Sequence, residues 1–139
     1  MKLKSCLRSF IFLIPLILVF SKSMAEPTFV QSKSIAAATY FGLTFNNDGT
    51  KMYPVRAERT GTTDAVIEHI LTTPYDISTA TVNNTKIVHR SGGKTSYTPT
   101  QVVFNNDGTK MFVVMHAGVK DIDTYSLSTA FDVSTATFD

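Results

Sequence analysis

Eight consecutive residues occur twice in this chain. Phe45-Asn-Asn-Asp-Gly-Thr-Lys-Met52 returns 59 residues later as Phe104-Asn-Asn-Asp-Gly-Thr-Lys-Met111. A second echo follows each copy at a spacing of 56, Tyr75-Asp-Ile-Ser-Thr-Ala-Thr81 answered by Phe131-Asp-Val-Ser-Thr-Ala-Thr137, so the first copy holds three extra residues between its motifs. Two motifs in fixed order at a long period mean one supersecondary unit used more than once. Such units hide their apolar faces on one another rather than alone.

The periodicity within each unit is that of strands. Phe41, Leu43 and Phe45 alternate with Gly42 and Thr44, and Asn-Asn-Asp-Gly then interrupts the run. Asn and Asp bond their own backbone and tolerate the left-handed region, while Gly reaches positive φ without steric cost. Asp48, Gly49, Asp107 and Gly108 are therefore read as structural turn residues of two hairpins. The returning strands are Lys51 to Ala57 and Lys110 to His116, with Pro54 a blemish that should meet a bulge or weaken pairing. Third strands run from Ala65 to Leu71 and from Asp121 to Leu127. The Asp-Ile/Val-Ser-Thr-Ala-Thr segments should cap local amides in a tight turn or one helical turn. Lys86 to Arg90 is a candidate fourth strand in the first unit, and Thr28 to Gln31 a strand preceding it. The second unit shows no fourth strand before Asp139.

The first 25 residues have the pattern of a secretory signal peptide. Lys2, Lys4 and Arg8 precede an apolar run from Phe10 to Phe20, and Ser23-Met24-Ala25 offers a cleavage site before Glu26. Eleven residues are short for a spanning helix, which wants about 20, so no stable membrane anchor is expected after cleavage. Cys6 lies ahead of the run, away from where a lipid-bearing cysteine would sit. Cleavage leaves residues 26–139 with nine basic and eleven acidic side chains, hence net −2, and without the single cysteine. No basic stripe for nucleic acid remains, and no disulfide can brace the exported domain. The expected location is secreted, periplasmic or on the cell surface.

The paired motifs, Phe-Asn-Asn-Asp-Gly-Thr-Lys-Met-Tyr/Phe and Phe-Asp-Val-Ser-Thr-Ala-Thr, resemble the propeller-type repeats of bacterial secreted and surface proteins. They are also similar to the Asp-Gly-Thr hairpins of YVTN-type and lactonase-like blades. The resemblance covers about residues 28–139. It implies an all-β fold of antiparallel four-stranded β-propeller blades, blade 1 over about 38–91 and blade 2 over about 97–139. Propellers close with 4–8 blades, so two imply an incomplete ring. Either further blades or self-association would close it, and the absent fourth strand favours a fragment of a longer product.

Sequence signals for chemistry are weak. The Asn-Asn-Asp-Gly turns lack the closing glutamate of a calcium loop. His69, His89 and His116 fall in different strands without zinc-site spacing. Asp121 and Asp123 share a strand face and read as solvated charges or a blunted edge. Asn83-Asn-Thr85 matches a glycosylation acceptor that matters only in a eukaryotic route. There is no nucleophile elbow, phosphate loop or His-Glu-x-x-His pair. The aromatic pairs Phe45/Phe104, Tyr53/Phe112 and Tyr75/Phe131 are expected to fill the space between blades. No catalytic, metal or cofactor residue is assigned. The expected function is a binding or structural module for a protein or carbohydrate ligand, held by Arg56 to Asp64 and Ser91 to Tyr97. The alternative is a fragment of a lactonase-like hydrolase with a metal in a central channel.

Overall fold

In each unit the two repeated motifs touch, and that contact organises the local chain. In the first hairpin Gly49 has φ +71° and its N–H reaches the Asn46 carbonyl at 3.2 Å. Asn46 Oδ1 accepts the Lys51 N–H at 2.9 Å, and Asp48 Oδ1 accepts the Thr50 N–H at 2.9 Å. The Tyr75 N–H then closes on the Gly49 carbonyl at 2.9 Å, and its ring lies where a Cβ on Gly49 would stand, 2.4 Å from the ring carbons. The second unit repeats every step: Gly108 at φ +72°, Lys110 N–H on Asn105 Oδ1 at 2.9 Å, Phe131 N–H on the Gly108 carbonyl at 3.0 Å, and the Phe131 ring over Gly108. Tyr75 and Phe131 pay for this position with φ of +60° and +58°, a region that bulky residues rarely enter.

The computed structural model describes residues 28–35, 38–58, 63–88, 98–116 and 121–139. Residues 1–25, expected to be a signal peptide, lie outside them, as do His89, Arg90 and residues 91–97. The described chain is all-β, with two antiparallel four-stranded sheets. Sheet 1 contains β1 (Tyr40–Phe45), β2 (Lys51–Arg56), β3 (Ala65–Ile70) and β4 (Thr81–Ile87) in that order. Sheet 2 contains β5 (Thr98–Phe104), β6 (Lys110–His116), β7 (Ile122–Leu127) and β8 (Ala136–Phe138). Each third-to-fourth connection carries one 3-10 turn, Ile77–Thr79 or Val133–Thr135, capped by Asp76 or Asp132 through the second following amide. Among the described residues no helix is long and apolar enough to cross a membrane.

Three expectations change. The second unit does have a fourth strand: β8 pairs with β7 through Tyr125↔Phe138 and Leu127↔Ala136. Its three residues begin within the second motif and end one residue past it, too short a run to show alternation. The fourth strand of the first unit starts at Thr81 rather than Lys86, straight after the 3-10 turn. Asn83 and Asn84 interrupt its β-favouring Thr81, Val82 and Thr85, and it sits mostly exposed at the sheet edge. Thr28 to Gln31 forms no strand; residues 28–35 run as a strap over the outer side of sheet 1, where Gln31 and Lys33 reach Ser78. Pro54 does lie opposite a bulge between Tyr40 and Leu43, but sheet 2 is irregular at the matching place, between Pro99 and Gln101. The bulge belongs to the repeat, and proline settles into it.

The sheets stack face to face with β1 beside β5. Gly42 of β1 permits the approach, because a Cβ there would stand 2.5 Å from the Thr100 carbonyl oxygen and 2.9 Å from the Gln101 Cα. The core fills the seam. Tyr53, Val55 and Val66 come from sheet 1, and Val102, Met111, Val113, Leu127 and Val133 from sheet 2. Replacing Gly108 by valine forces both an unfavourable φ and a collision with Phe131. The expected result is a loss of about 1–3 kcal/mol or more, read as a lower urea midpoint, with Gly49→Val behaving alike against Tyr75.

Candidate functional site

Polar side chains of sheet 1 grip the 3-10 turn of sheet 2 across the seam. Glu68, wholly buried, projects from β3 into this apolar surface. Its Oε1 pairs with Lys51 Nζ at 3.0 Å and accepts from Asn83 Nδ2 at 2.7 Å. Its Oε2 accepts the Val133 N–H of sheet 2 at 3.0 Å. The Phe131 carbonyl accepts from Tyr53 Oη at 2.7 Å and from Lys51 Nζ at 3.0 Å. Burial, with the Glu68 carboxylate nearby, pushes the Tyr53 phenol well up, so it remains a proton donor. Asn84 donates to Asp132 at 3.1 Å, and Lys86 Nζ donates to the Ala136 carbonyl. Aromatic rings continue the contact, with Tyr53 and Phe104 centroids 4.6 Å apart and Phe104 and Phe131 5.5 Å apart. Phe45 and Tyr75 pair at 5.4 Å outside the seam, on the far side of sheet 1.

The opposite face of sheet 2 does not repeat the grip. Register places Thr124 where sheet 1 has Glu68 and Phe112 where it has Tyr53. Ile122 is 65 % exposed there. Only Lys110 keeps its place, and it turns to Asp139 at 2.9 Å and Ser126 Oγ at 2.8 Å. Sheet 1's own outer face keeps the apolar set, Met52, Leu71 and Ala80 with Phe45 and Ile77 against them. Beside them lies an apolar pocket of about 230 Å³ walled by Phe41, Leu43, Met52, Pro54 and Ile77, with strap residues Lys33 and Ile35.

Asp48 and Asp107 spend a carboxylate oxygen on the hydroxyl and amide of Thr50 or Thr109, which holds both acids below the usual carboxylate range. Both hairpins lie at one end of the stack, joined by Asn47 Nδ2 on the Asn106 carbonyl at 2.6 Å. The other end carries the connections in which the repeats differ. There Arg56 donates to the Thr63 carbonyl at 3.1 and 2.8 Å, the Thr63 hydroxyl to Glu58 at 2.7 Å, and the Glu58 N–H to buried Asp64 at 2.6 Å. Asp123 corrects the expectation of a solvated charge: it is 1 % exposed, on the buried face of β7 with Tyr125 and Leu127. His116 is exposed and His69 buried, on different sheets. Among the described residues no group of three His, Cys, Asp or Glu could hold a metal ion. Glu68 was not singled out from sequence, although a lone acid within Ala-Val-Ile-Glu-His-Ile was its signal.

Comparison with protein-family models, curated proteins and solved structures finds no match for this chain.

Two outcomes are expected. Glu68→Ala strands the Val133 amide and leaves the Lys51 ammonium only the Phe131 carbonyl, costing about 1–3 kcal/mol, and Tyr53→Phe costs about 1 kcal/mol. A double-mutant cycle in urea should show them coupled, since both hold the same turn. Burial, helped by Lys33, lowers the His69 pKa. The unfolded chain then binds the proton more readily. Stability is full above the unfolded value of about 6.5 and declines as pH falls below it. Urea midpoints should drop between pH 7.5 and 5.5, and His69→Leu should flatten that slope.

Proposed function

We propose that this chain is an exported β-propeller-repeat protein acting as a binding or structural module, with its ligand held at the end of the stack where the two repeats differ. One observation supports this most. The residues shared by the repeats are consumed in turns, caps and the seam, whereas the connections at the other end carry a different set of polar groups in each unit. Scaffolds position recognition loops in this way. Arg56, Glu58, Thr63 and Asp64 tie the base of the longer loop together, which lowers the entropy cost of presenting it to a partner. Hydrogen-bonding side chains of this kind suit a protein or carbohydrate surface.

The blade reading rests on the repeat motifs, the four-stranded antiparallel meanders and their face-to-face stacking. In a propeller, β1 and β5 would line the central channel. Their sequences, Tyr-Phe-Gly-Leu-Thr-Phe and Thr-Pro-Thr-Gln-Val-Val-Phe, bring no carboxylate or imidazole to it. A lactonase-like metal hydrolase draws its ligands from such positions, so the binding module is the better supported of the two.

The test is a binding screen of the full-length product against immobilised glycans and extracellular proteins, repeated with residues 58–63 replaced by a Gly-Ser linker. Binding that disappears in the linker variant, with the melting temperature retained, is the expected result. A rise of several degrees in melting temperature on adding calcium, zinc or magnesium, accompanied by ester or lactone hydrolysis, would replace this reading with the hydrolase.

A further inference from the structure

The outward turn of sheet 1 has the same shape as the turn that sheet 1 grips in sheet 2. Tyr75 and Phe131 share a left-handed φ, Asp76 and Asp132 cap alike, and Ile77 and Val133 stand at the same position. In the seam, the gripping chemistry is an acceptor for a turn N–H and an ammonium donor for a turn carbonyl, supplied by Glu68 and Lys51. On the outward turn the strap supplies a similar acceptor and ammonium, set on Ser78 rather than on the Ile77 N–H and Tyr75 carbonyl that correspond to the gripped atoms, and sharing the Ser78 N–H with the Asp76 cap at 3.0 Å. Gln31 Oε1 accepts the Ser78 N–H at 3.1 Å, and Lys33 Nζ donates to the Ser78 carbonyl at 3.0 Å. These contacts bridge 47 and 45 residues of chain, and lay Lys33 and Ile35 along the apolar pocket.

The geometry points to residues Thr28–Ile35 as a built-in cap that occupies, on sheet 1, the docking position a preceding sheet would fill. The inference rests on the blade reading above. The cap has fewer and weaker holds than the seam. A neutral amide replaces the carboxylate, neither contact is buried, and nothing takes the place of the Tyr53 hydroxyl among the strap's hydrogen bonds. Charged acceptors hold an amide about twice as well as neutral ones. The strap is thus exchangeable for a sheet face bearing a carboxylate, an ammonium and a phenol in the Glu68, Lys51, Tyr53 arrangement. Such a face is the partner this surface fits. The outer face of sheet 2 in another copy is not, because Thr124 and Phe112 have lost two of those groups.

The test uses the full-length chain carrying Gln31→Ala, Lys33→Ala and Ile35→Ala together, with 1-anilinonaphthalene-8-sulfonate as a probe of uncovered apolar surface. Dye fluorescence should rise several-fold and the Ser78 amide, which keeps its Asp76 cap, should exchange measurably faster, with Ser134 exchange unchanged as the control for folding. A triple variant that matches the parent in dye binding and Ser78 exchange overturns the cap. Glu68→Ala, measured alongside, separates the two readings. Faster Val133 exchange in that variant leaves the docked sheets standing whatever the strap does, and unchanged Val133 exchange removes the docked-sheet reading itself.

Discussion

Taking a carboxylate out of water costs several kilocalories per mole unless its lone pairs find partners. Glu68 meets that cost only when both sheets are in place: Lys51 and Asn83 come from its own sheet, the Val133 amide from the other. Its position makes the stacking specific. The attraction itself is apolar. Each buried Val, Met or Leu contributes about 1.5–3 kcal/mol, against about 1 kcal/mol for a typical hydrogen bond. Hydrophobic contact is indifferent to sliding, however, and the grip on Phe131 and Val133 is not. The seam owes its strength to one class of residue and its register to the other.

The same division explains why the two motifs travel together. Glycine at the hairpin tip leaves a hollow, and the aromatic that opens the second motif fills it from a backbone conformation it would otherwise avoid. Neither half makes sense alone. A side chain on the glycine expels the ring, and without the ring the hairpin loses its packing over Gly49 or Gly108. Strain at Tyr75 and Phe131 is offset by the backbone bond to the glycine carbonyl and by the aspartate cap that follows. Sequence repetition here records a physical interlock between residues 26 apart in the first unit (Gly49 and Tyr75) and 23 apart in the second (Gly108 and Phe131).

Much of the architecture was legible because it is written in local chemistry. The hairpins, the capped turns and the first three strands of each unit follow from alternation, from Asn-Asp-Gly, and from Asp followed two residues later by Ser. The fourth strands were harder to see, since edge strands need only backbone pairing on one side and tolerate Asn and Thr. The aromatic pairing was half visible: Phe104 and Phe131 do bridge to Tyr53, whereas Phe112 falls on the outer face of sheet 2. Asp123 and Glu68 were opaque for a shared reason. Periodicity marks charged residues as solvent-facing, and nothing in a single strand reveals that another sheet will cover them.

The seam face of sheet 1 and the outer face of sheet 2 show that the two modules are not interchangeable. A copied module inherits two flanks, but only one junction of the pair still fits its neighbour like tongue and groove. A further identical module set against the outer face of sheet 2 would meet Phe112 and Thr124 where the existing seam has a phenol and a carboxylate. Longer assemblies of this type therefore cannot be lengthened at will from one tile; each joint has to be cut to its own mate, which gives the order of modules along the chain a direction.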